Sequence, residues 1–257
     1  MTDAAEIATY LDQLLDTPTI PDYPGALNGL QLASSGDVRR IGACVDFSSR
    51  TVAIAAEQAV NLLLVHHGMF WGGARPFTGV RYSQIRILLE RNIAVYASHL
   101  PLDRHAIFGN NVLLSQKLGL EPSGEFASYR GSGVGVSGEC DIATVEIVER
   151  ARLFARIHGG DAIATGFPRD RHSRRWAICT GAGASAETLT EAVHKKIDTL
   201  IVGEGPHWTA VEATDLGIVI IYAGHYATET LGVAALAEHA AQKFGIEWTM
   251  IHAPTGL

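Results

Sequence analysis

The chain is poor in cysteine, in basic charge and in long apolar runs. Its 257 residues include three cysteines, none in a Cys-x-x-Cys pair, which excludes a disulfide framework and favours a reducing compartment. The formal net charge is −7, and this argues against nucleic acid as a partner because phosphate binding requires a basic surface. No apolar run reaches membrane-spanning length, and the opening segment is typical of an amphipathic helix rather than a secretory leader. We therefore expect a cytoplasmic protein with no membrane partner.

Two adjacent histidines, His66 and His67, stand at the end of the apolar run 62–65 and are followed by Gly68. The run predicts a buried strand, and Gly68 ends it. In an open α/β sheet, such a strand end is where ligands bind. Imidazoles pack poorly in cores and bind metals well. Taken alone, the pair fits two interpretations equally: metal ligands, or hydrogen-bonded histidines in a loop.

The sequence contains strand–helix units that occur twice. The segment Tyr96–His99 resembles Tyr222–His225 at an offset of 126 residues, and the same offset relates Asp103 to Glu229. Alternating strands and helices predict an α/β fold. We expect two homologous α/β halves, 1–123 and 124–257, joined by a glycine-rich segment over 130–139 that is typical of a linker or a hairpin. That segment does not precede a helix as a dinucleotide-binding loop would.

The elements within each half are predicted from apolar runs, helical periodicity and turn residues. Helices are expected over 5–15, 51–60, 83–91, 111–118, 142–154, 186–195, 208–215 and 230–244. Strands are expected over 40–46, 62–65, 93–99, 175–181, 198–202 and 218–225. Ser185 is a plausible cap for the helix that follows it.

The two halves differ at one strand end and agree at the next. His66 and His67 correspond to Gly203 and Glu204, whereas His99-x3-Asp103 matches His225-x3-Glu229. Adjacent residues on a regular strand point to opposite faces, so His66 and His67 can share one ion only if the strand has ended before them. Otherwise they serve two neighbouring ions.

The candidate donors outnumber what one tetrahedral ion requires. They are His66, His67, Asp103, His225 and Glu229, with His99, Glu204, His105 and His207 nearby. Such a set suits two ions bridged by a carboxylate, typically about 3.5–4 Å apart. Mixed imidazole and carboxylate ligands suit Zn, Fe or Mn, and their spacing does not choose among these metals.

Seven motifs occur in an order that resembles a known family. They are 28–31 (NGLQ), 64–71 (LVHHGMFW), 98–103 (SHLPLD), 105 with 109–111 (H, GNN), 179–183 (CTGAG), 203–204 (GE) and 223–229 (AGHYATE). Over nearly its whole length the chain is similar to the Nif3-like dinuclear metal-centre proteins, some of which are described as GTP cyclohydrolase 1 type 2 homologues. It resembles the short form of that family, without an inserted domain.

The resemblance implies a Nif3-like fold with the metal site in the cleft between the halves. Carried over by motif, the ligands of two divalent ions would be His66, His67, Asp103, His225 and Glu229. His99 would orient a ligand through a hydrogen bond, and Glu204, His105 and Asn28 would support ligands or contact substrate. Asn28 fits a turn cap equally well. The resemblance also implies a toroidal homohexamer.

Four further motif residues receive an interpretation from their own chemistry. Phe70 and Trp71 fit an apolar pocket wall or core packing, and core packing is favoured. Asn110 and Asn111 are expected to fix the start of the following helix. The stretch 205–208 (GPHW) departs from the family pattern, which leaves the substrate open.

Three functions remain for such a chain. The first is a metal-dependent hydrolase that uses metal-activated water on a small-molecule substrate, a nucleotide being one option. The resemblance implies a specific reaction, opening of the imidazole ring of GTP. No phosphate-binding loop supports GTP directly, and no catalytic residue is assigned. The second is a non-catalytic metal-handling or regulatory protein, which the same ligands would serve. The third, a DNA-associated scaffold, is disfavoured by the acidic net charge.

Overall fold

The repeat in the sequence reappears in the order of helices and strands. The computed structural model describes residues 2–257. The first repeat consists of α1 (Ala4–Leu14), β1 (Gly29–Leu32), β2 (Arg40–Asp46), α2 (Ser49–Glu57), β3 (Leu62–His67), α3 (Gly79–Glu90), β4 (Ala94–Ala97), α4 (Leu100–Asp103) and α5 (Asn110–Lys117). A hairpin follows, made of β5 (Gly124–Tyr129) and β6 (Ser132–Ala143). The second repeat consists of α6 (Thr144–Ile157), β7 (Ile163–Ala164), β8 (His172–Cys179), α7 (Ala186–His194), β9 (Thr199–Val202), α8 (His207–Asp215), β10 (Val219–Tyr222), α9 (His225–Phe244) and β11 (Glu247–Met250).

The two sheets share one topology at their centres. One sheet has the order β1-β4-β3-β2-β11, and the other has the order β5-β6-β8-β9-β10-β7. Strands β2, β3 and β4 run parallel, as do β8, β9 and β10. Each trio carries an antiparallel edge strand, β1 on β4 and β7 on β10. The predicted α/β fold is confirmed, and both halves have the same order of connections.

The central strands are apolar because both of their faces are covered. Residues Leu62 to Val65 of β3 are each 0% exposed, as expected for a parallel strand between two helical layers. The core of the first sheet includes Val52 of α2 and Leu88 of α3. The core of the second sheet is built around Trp176 and Ile201.

The helix after the first parallel strand begins in the same way in both repeats. Ser48 caps α2 by accepting from the backbone N–H of Thr51, and Ser185 caps α7 by accepting from that of Thr188. Each threonine hydroxyl also donates to a carbonyl of the preceding turn, that of Asp46 or Gly183. The predicted cap at Ser185 is confirmed. A cap of this kind typically contributes about 1 kcal/mol to helix stability.

The start of the second parallel strand also repeats in detail. The Asn61 side-chain oxygen accepts from the backbone N–H groups of Arg39 and Arg40 at 2.8 and 3.0 Å. In the second repeat the Asp198 carboxylate accepts from Arg174 and Arg175, both at 2.9 Å. One polar side chain therefore fixes the spacing between two strands in each sheet.

The compact units of the chain have other bounds than the predicted halves 1–123 and 124–257. One unit comprises residues up to Leu102 together with Gly232–Ala253, and the other comprises Asp103–Leu231 and Pro254–Leu257. The difference arises because β11 pairs in parallel with β2, and because α5 contributes Leu114 to the core of the second sheet. The residue 123/124 boundary between repeats stays a prediction.

Several element bounds differ from the expected ones at functionally important places. Strand β10 ends at Tyr222 and α9 begins at His225, so His225 lies on a helix and not at a strand end. Strand β3 extends through His67, although it was expected to end at residue 65. Strand β1 was not predicted. The glycine-rich segment forms part of a hairpin, which is one of the two expected alternatives. No helix within residues 2–257 is both long enough and apolar enough to cross a membrane.

Candidate metal centre

The paired histidines at the end of β3 each contact an oxygen through Nδ1. His66 Nδ1 lies 2.9 Å from the Ser98 carbonyl oxygen, and His67 Nδ1 lies 2.8 Å from Asp46 Oδ1. Both side chains are buried. A carbonyl oxygen only accepts, so His66 Nδ1 carries the proton, and Nε2 is the basic nitrogen of the neutral ring. The same arrangement orients histidines in metal sites.

The strand has not ended before His66 and His67, and the choice between one shared ion and two neighbouring ions stays a prediction. His67 is still paired with Asp46 of β2 in strand register, yet the two imidazole centroids lie 4.9 Å apart. Because β3 ends at His67, alternation along the strand does not separate the two rings.

His99 follows β4 and shows the same Nδ1 arrangement. Its Nδ1 lies 2.8 Å from Asp22 Oδ1, with the two side chains only 9% and 7% exposed. The Asp22 Oδ2 atom accepts from the Asn28 side chain and from the backbone of Leu100. Burial raises the pKa of Asp22, but the hydrogen bond and charge of His99 and the bond from Asn28 outweigh it, so the pKa is lowered. Asp22 is therefore a carboxylate at neutral pH.

Asn28 holds the loop that carries Asp22. Its side-chain oxygen accepts from the His99 backbone N–H at 2.8 Å, while its amide donates to Asp22. Gln31, from the same motif, accepts from the Met69 backbone N–H at 2.6 Å just beyond β3. Both side chains thus position the backbone around the histidines, which favours the turn interpretation of Asn28 over substrate contact.

Three imidazoles come together in this unit. The ligand atoms of His66, His67 and His99 all lie within 4.8 Å of one another, and their ring centroids are 4.9 to 5.7 Å apart. His99 was expected to orient a ligand. Its position in the cluster, with Asp22 as its own partner, is equally that of a ligand.

A second group of donors lies at the start of α9 in the other unit. His225 and Glu229 are one turn apart, with His225 Nε2 3.1 Å from Glu229 Oε2. His225 Nδ1 lies 2.7 Å from Glu204 Oε1, so Glu204 supports a ligand as expected. Burial lowers the pKa of His225, but the hydrogen bonds and charges of Glu229 and Glu204 outweigh it and raise the pKa to about 9.

Two glycines make room for this second group. A Cβ at Gly181, where φ is +62°, would collide with Glu229 Oε1. A Cβ at Gly203 would lie 2.5 Å from the Gly181 carbonyl oxygen and 2.8 Å from His225 Cα. Gly203 corresponds to His66 in the first repeat. No side chain fits at position 203, because the start of α9 occupies that space.

Asp103 ends helix α4 and is buried. Its Oδ1 atom accepts from the Asn110 side chain at 2.8 Å. Asn111 connects three chain segments by contacting the Asp103 carbonyl, the Val134 carbonyl and the Thr180 N–H. The two asparagines are the first residues of α5, as expected, but the cap residue is Gly109, so they hold the helix start through these side-chain contacts and not by capping it.

His105 has a different hydrogen-bonding role from the other histidines. Its Nδ1 accepts from the backbone N–H groups of Ile107 and Phe108 at 3.2 and 3.1 Å, so Nδ1 is the basic nitrogen and Nε2 carries the proton of the neutral ring. His105 thus stabilises a turn, and its expected part in supporting ligands or contacting substrate stays a prediction.

Sequence reasoning missed Asp22, Asp46 and the exposure of Trp71. Asp46 ends the strand next to β3, so the strand-end rule that identified the histidines could have found it. Trp71 is 39% exposed, and its ring centroid lies 4.5 Å from that of His67. The expectation of core packing is therefore wrong for Trp71, although Phe70 does pack against the core.

The donor chemistry fits divalent transition metals. Imidazole nitrogens with Nδ1 held by oxygen, accompanied by carboxylates, suit Zn, Fe or Mn. Cys179 adds no thiolate, because burial and the charges of Asp103 and Glu229 raise the pKa of its thiol to about 12. The fold therefore offers a His-rich candidate metal site built from imidazoles and carboxylates.

Comparison with known proteins gives a consistent result. The model of the Duf34/NIF3 (NGG1p interacting factor 3) family matches residues 2–255. A Deinococcus radiodurans protein described as a GTP cyclohydrolase 1 type 2 homolog is 36% identical, over 98% of this chain and 94% of its own length. Two solved structures are similar over 100% of both chains: protein ybgI, of unknown function, with 29% identity and a TM-score of 0.88, and TTHA1606 from Thermus thermophilus, with 32% identity and a TM-score of 0.81. The chain belongs to the Duf34/NIF3 family.

Proposed function

We propose that the protein is a metal-dependent hydrolase of the GTP cyclohydrolase 1 type 2 kind. In this proposal His66, His67, Asp103, His225 and Glu229 hold two divalent ions. The observation that carries the proposal is the shared Nδ1 arrangement of the imidazoles, in which a carbonyl or a carboxylate fixes each ring. Such pairing presents Nε2 as the donor atom and raises its basicity.

The residues of the chain have distinct tasks in this proposal. Bound divalent ions would supply Lewis-acid activation of water at neutral pH. Asp46 and Glu204 keep His67 and His225 in single orientations. The buried Glu229 carboxylate occupies the space that the absence of a side chain at Gly181 leaves open. Asp103 keeps its orientation through the Asn110 side chain.

We propose a small molecule as the substrate, with a nucleotide as the leading candidate. The support is the description of the Deinococcus radiodurans relative as a GTP cyclohydrolase 1 type 2 homolog. The acidic net charge of −7 disfavours a nucleic acid polymer, since such a ligand requires an extended basic surface.

The alternative is a metal-handling or regulatory protein without turnover. One observation favours it: every polar contact described around the imidazoles orients a metal donor or the backbone that carries it. Retention or transfer of metal would require nothing more.

The first experiment tests the ligands. The double variant His66→Ala/His67→Ala is expected to lose the metal that the unaltered protein holds at close to two ions per chain, as measured by elemental mass spectrometry. The matched control is His172→Ala/His194→Ala, which removes two exposed histidines. Full metal occupancy in the first variant would reject the ligand assignment.

The second experiment separates hydrolase from metal handling. Metal-loaded protein is incubated with GTP and other nucleotides while formate and phosphate release are followed, and turnover is expected to disappear in Glu229→Gln. Retained metal without turnover of any nucleotide would reject the hydrolase and favour the alternative.

We also propose a homohexamer in the cytoplasm. Helix α3 exposes Val80, Tyr82 and Leu89, and helix α6 exposes Leu153 and Ile157, which is 81% exposed. Exposed apolar side chains on helices support burial against further copies. The three cysteines are free thiols, which agrees with a reducing compartment. Light scattering of the purified protein measures the number of copies.

A further inference from the structure

Two exposed aromatic rings lie beside the imidazole cluster of the first unit. Trp71 is 39% exposed and Tyr23 is 49% exposed. The Trp71 ring centroid lies 4.5 Å from that of His67 and 4.4 Å from that of His99. The Tyr23 ring lies 5.8 Å from that of His99 and at 84° to the plane of Trp71. The two aromatic rings therefore border the candidate metal donors with part of their surface in solvent.

Hydrogen bonds and close packing fix the loops that carry these rings. The Tyr23 backbone N–H donates at 2.6 Å to Asp22 Oδ1, the atom that also contacts His99 Nδ1. The Trp71 backbone N–H donates to the Gly68 carbonyl in the turn after β3. A Cβ at Gly25 would lie 2.7 Å from the Trp71 carbonyl oxygen, so the two loops meet with no space for a side chain. The rings are thus positioned before any ligand arrives.

A pair of fixed, half-exposed aromatic rings beside polar donors suits one type of ligand. Planar heterocycles such as nucleobases stack on aromatic side chains, and the stacking contributes to their binding. Because the two rings are nearly perpendicular, one can stack on a planar base while the other contacts its edge.

We propose that Trp71 and Tyr23 form the specificity surface for a planar, fused-ring base in the substrate, of the purine type. This inference rests on the proposed function in one respect: it assumes that a small molecule binds at the metal centre. It names the part of that molecule which the chain recognises, and it assigns the recognition to two residues.

The competing explanation is that Trp71 only shields the imidazoles from water. Any large apolar side chain would serve as a shield, whereas stacking requires an aromatic face. Leucine and phenylalanine at position 71 therefore separate the two roles. Trp248 of β11 pairs with Ile41 near the start of β2, whereas His67 is in register with Asp46 at the end of that strand, so Trp248 offers a control tryptophan at the opposite end of the same sheet.

The experiment measures equilibrium binding of guanosine and of ribose 5-phosphate to the metal-loaded protein. The unaltered protein is expected to bind guanosine more tightly than ribose 5-phosphate. Trp71→Leu is expected to weaken guanosine binding about tenfold or more, while Trp71→Phe retains most of it and Trp248→Leu is unchanged. Binding of ribose 5-phosphate should not respond to any of the three. Metal content is measured for every variant, and if Trp71→Leu loses metal, Tyr23→Leu against Tyr23→Phe replaces it with the same expectation.

The inference is overturned if Trp71→Leu with full metal content binds guanosine as tightly as the unaltered protein. It is also overturned if the unaltered protein shows no preference for guanosine over ribose 5-phosphate. These results are separable from failure of the proposed function. A protein that binds guanosine through Trp71 but never turns over a nucleotide keeps this inference and rejects the hydrolase.

Discussion

At the residue scale, four imidazoles share one hydrogen-bonding arrangement with four different partners. His66 uses a backbone carbonyl, while His67, His99 and His225 use Asp46, Asp22 and Glu204. A carboxylate partner makes an imidazole a stronger donor than a carbonyl partner does. The four rings are therefore oriented alike through Nδ1, and His66 differs from the other three in having a carbonyl instead of a carboxylate as the partner of that atom.

The variant Gly181→Ala tests how closely the fold surrounds the donor group of His225 and Glu229. Gly181→Ala places a methyl group against Glu229 Oε1, so the carboxylate must leave the position that it holds beside His225. We expect a loss of metal from this group, measured by metal content, together with a lower midpoint of urea unfolding.

The control for Gly181→Ala is Gly217→Ala. Gly217 has a similar positive φ of +73°, but a Cβ there meets nothing within 4 Å. Both variants carry the backbone strain of a left-handed residue, about 1 kcal/mol, and only Gly181→Ala carries the collision. Equal metal content in the two variants would show that Glu229 has freedom to move.

At the element scale, the two copies of one supersecondary unit use similar residues at the same helix start and the same strand start. Both cap the helix after the first parallel strand with Ser and Thr, and both fix the start of the second strand with one side chain that accepts two backbone N–H groups. That side chain is Asn61 in the first copy and Asp198 in the second. The two backbone N–H groups require a hydrogen-bond acceptor, and that acceptor can be neutral or charged.

This equivalence predicts the outcome of two substitutions at position 61. Asn61→Ala leaves the N–H groups of Arg39 and Arg40 without their acceptor, and we expect a loss of about 1–3 kcal/mol in the free energy of unfolding. Asn61→Asp keeps the acceptor, as Asp198 does, and should cost less than half as much. Urea unfolding at neutral pH measures both. Similar losses for the two variants would mean that the side-chain oxygen is not what matters.

The sequence was most informative where periodicity or repetition marks a position. The buried strand before His66 and the repeated His-x3-acid pattern identified the candidate donors. The carboxylates that orient them were harder to find, because Asp22 is 77 residues from His99 along the chain and lies outside any helix or strand. The early start of α9 was missed because the residues before position 230 carry no recognised cap, and the close approach of His225 to Gly203 is a tertiary contact that the sequence does not show.

At the scale of the whole molecule, repeats and compact units do not coincide. Each repeat ends with a helix followed by strand structure that joins the other sheet: β5 and β6 join the sheet of β8, and β11 joins that of β2. The first unit therefore needs residues from both ends of the chain. Neither the hydrophobic pattern nor the motif spacing shows this exchange, because pairing partners of edge strands are set by tertiary packing.

The exchange predicts that a residue near the chain terminus is central to the stability of the first unit. Ile251 is 1% exposed and packs with the core that includes Val65 and Leu88. Ile251→Ala is expected to lower the free energy of unfolding by about 2–5 kcal/mol, as for other buried isoleucines. His252→Ala, at an exposed neighbouring position, should change it by less than about 0.5 kcal/mol. Chemical denaturation measures both variants, and proteolysis of Ile251→Ala should begin in the first unit because its edge strand is released first. If Ile251→Ala unfolds like the control, the first sheet does not require β11 for its stability, and each repeat would be stable without strands from the other.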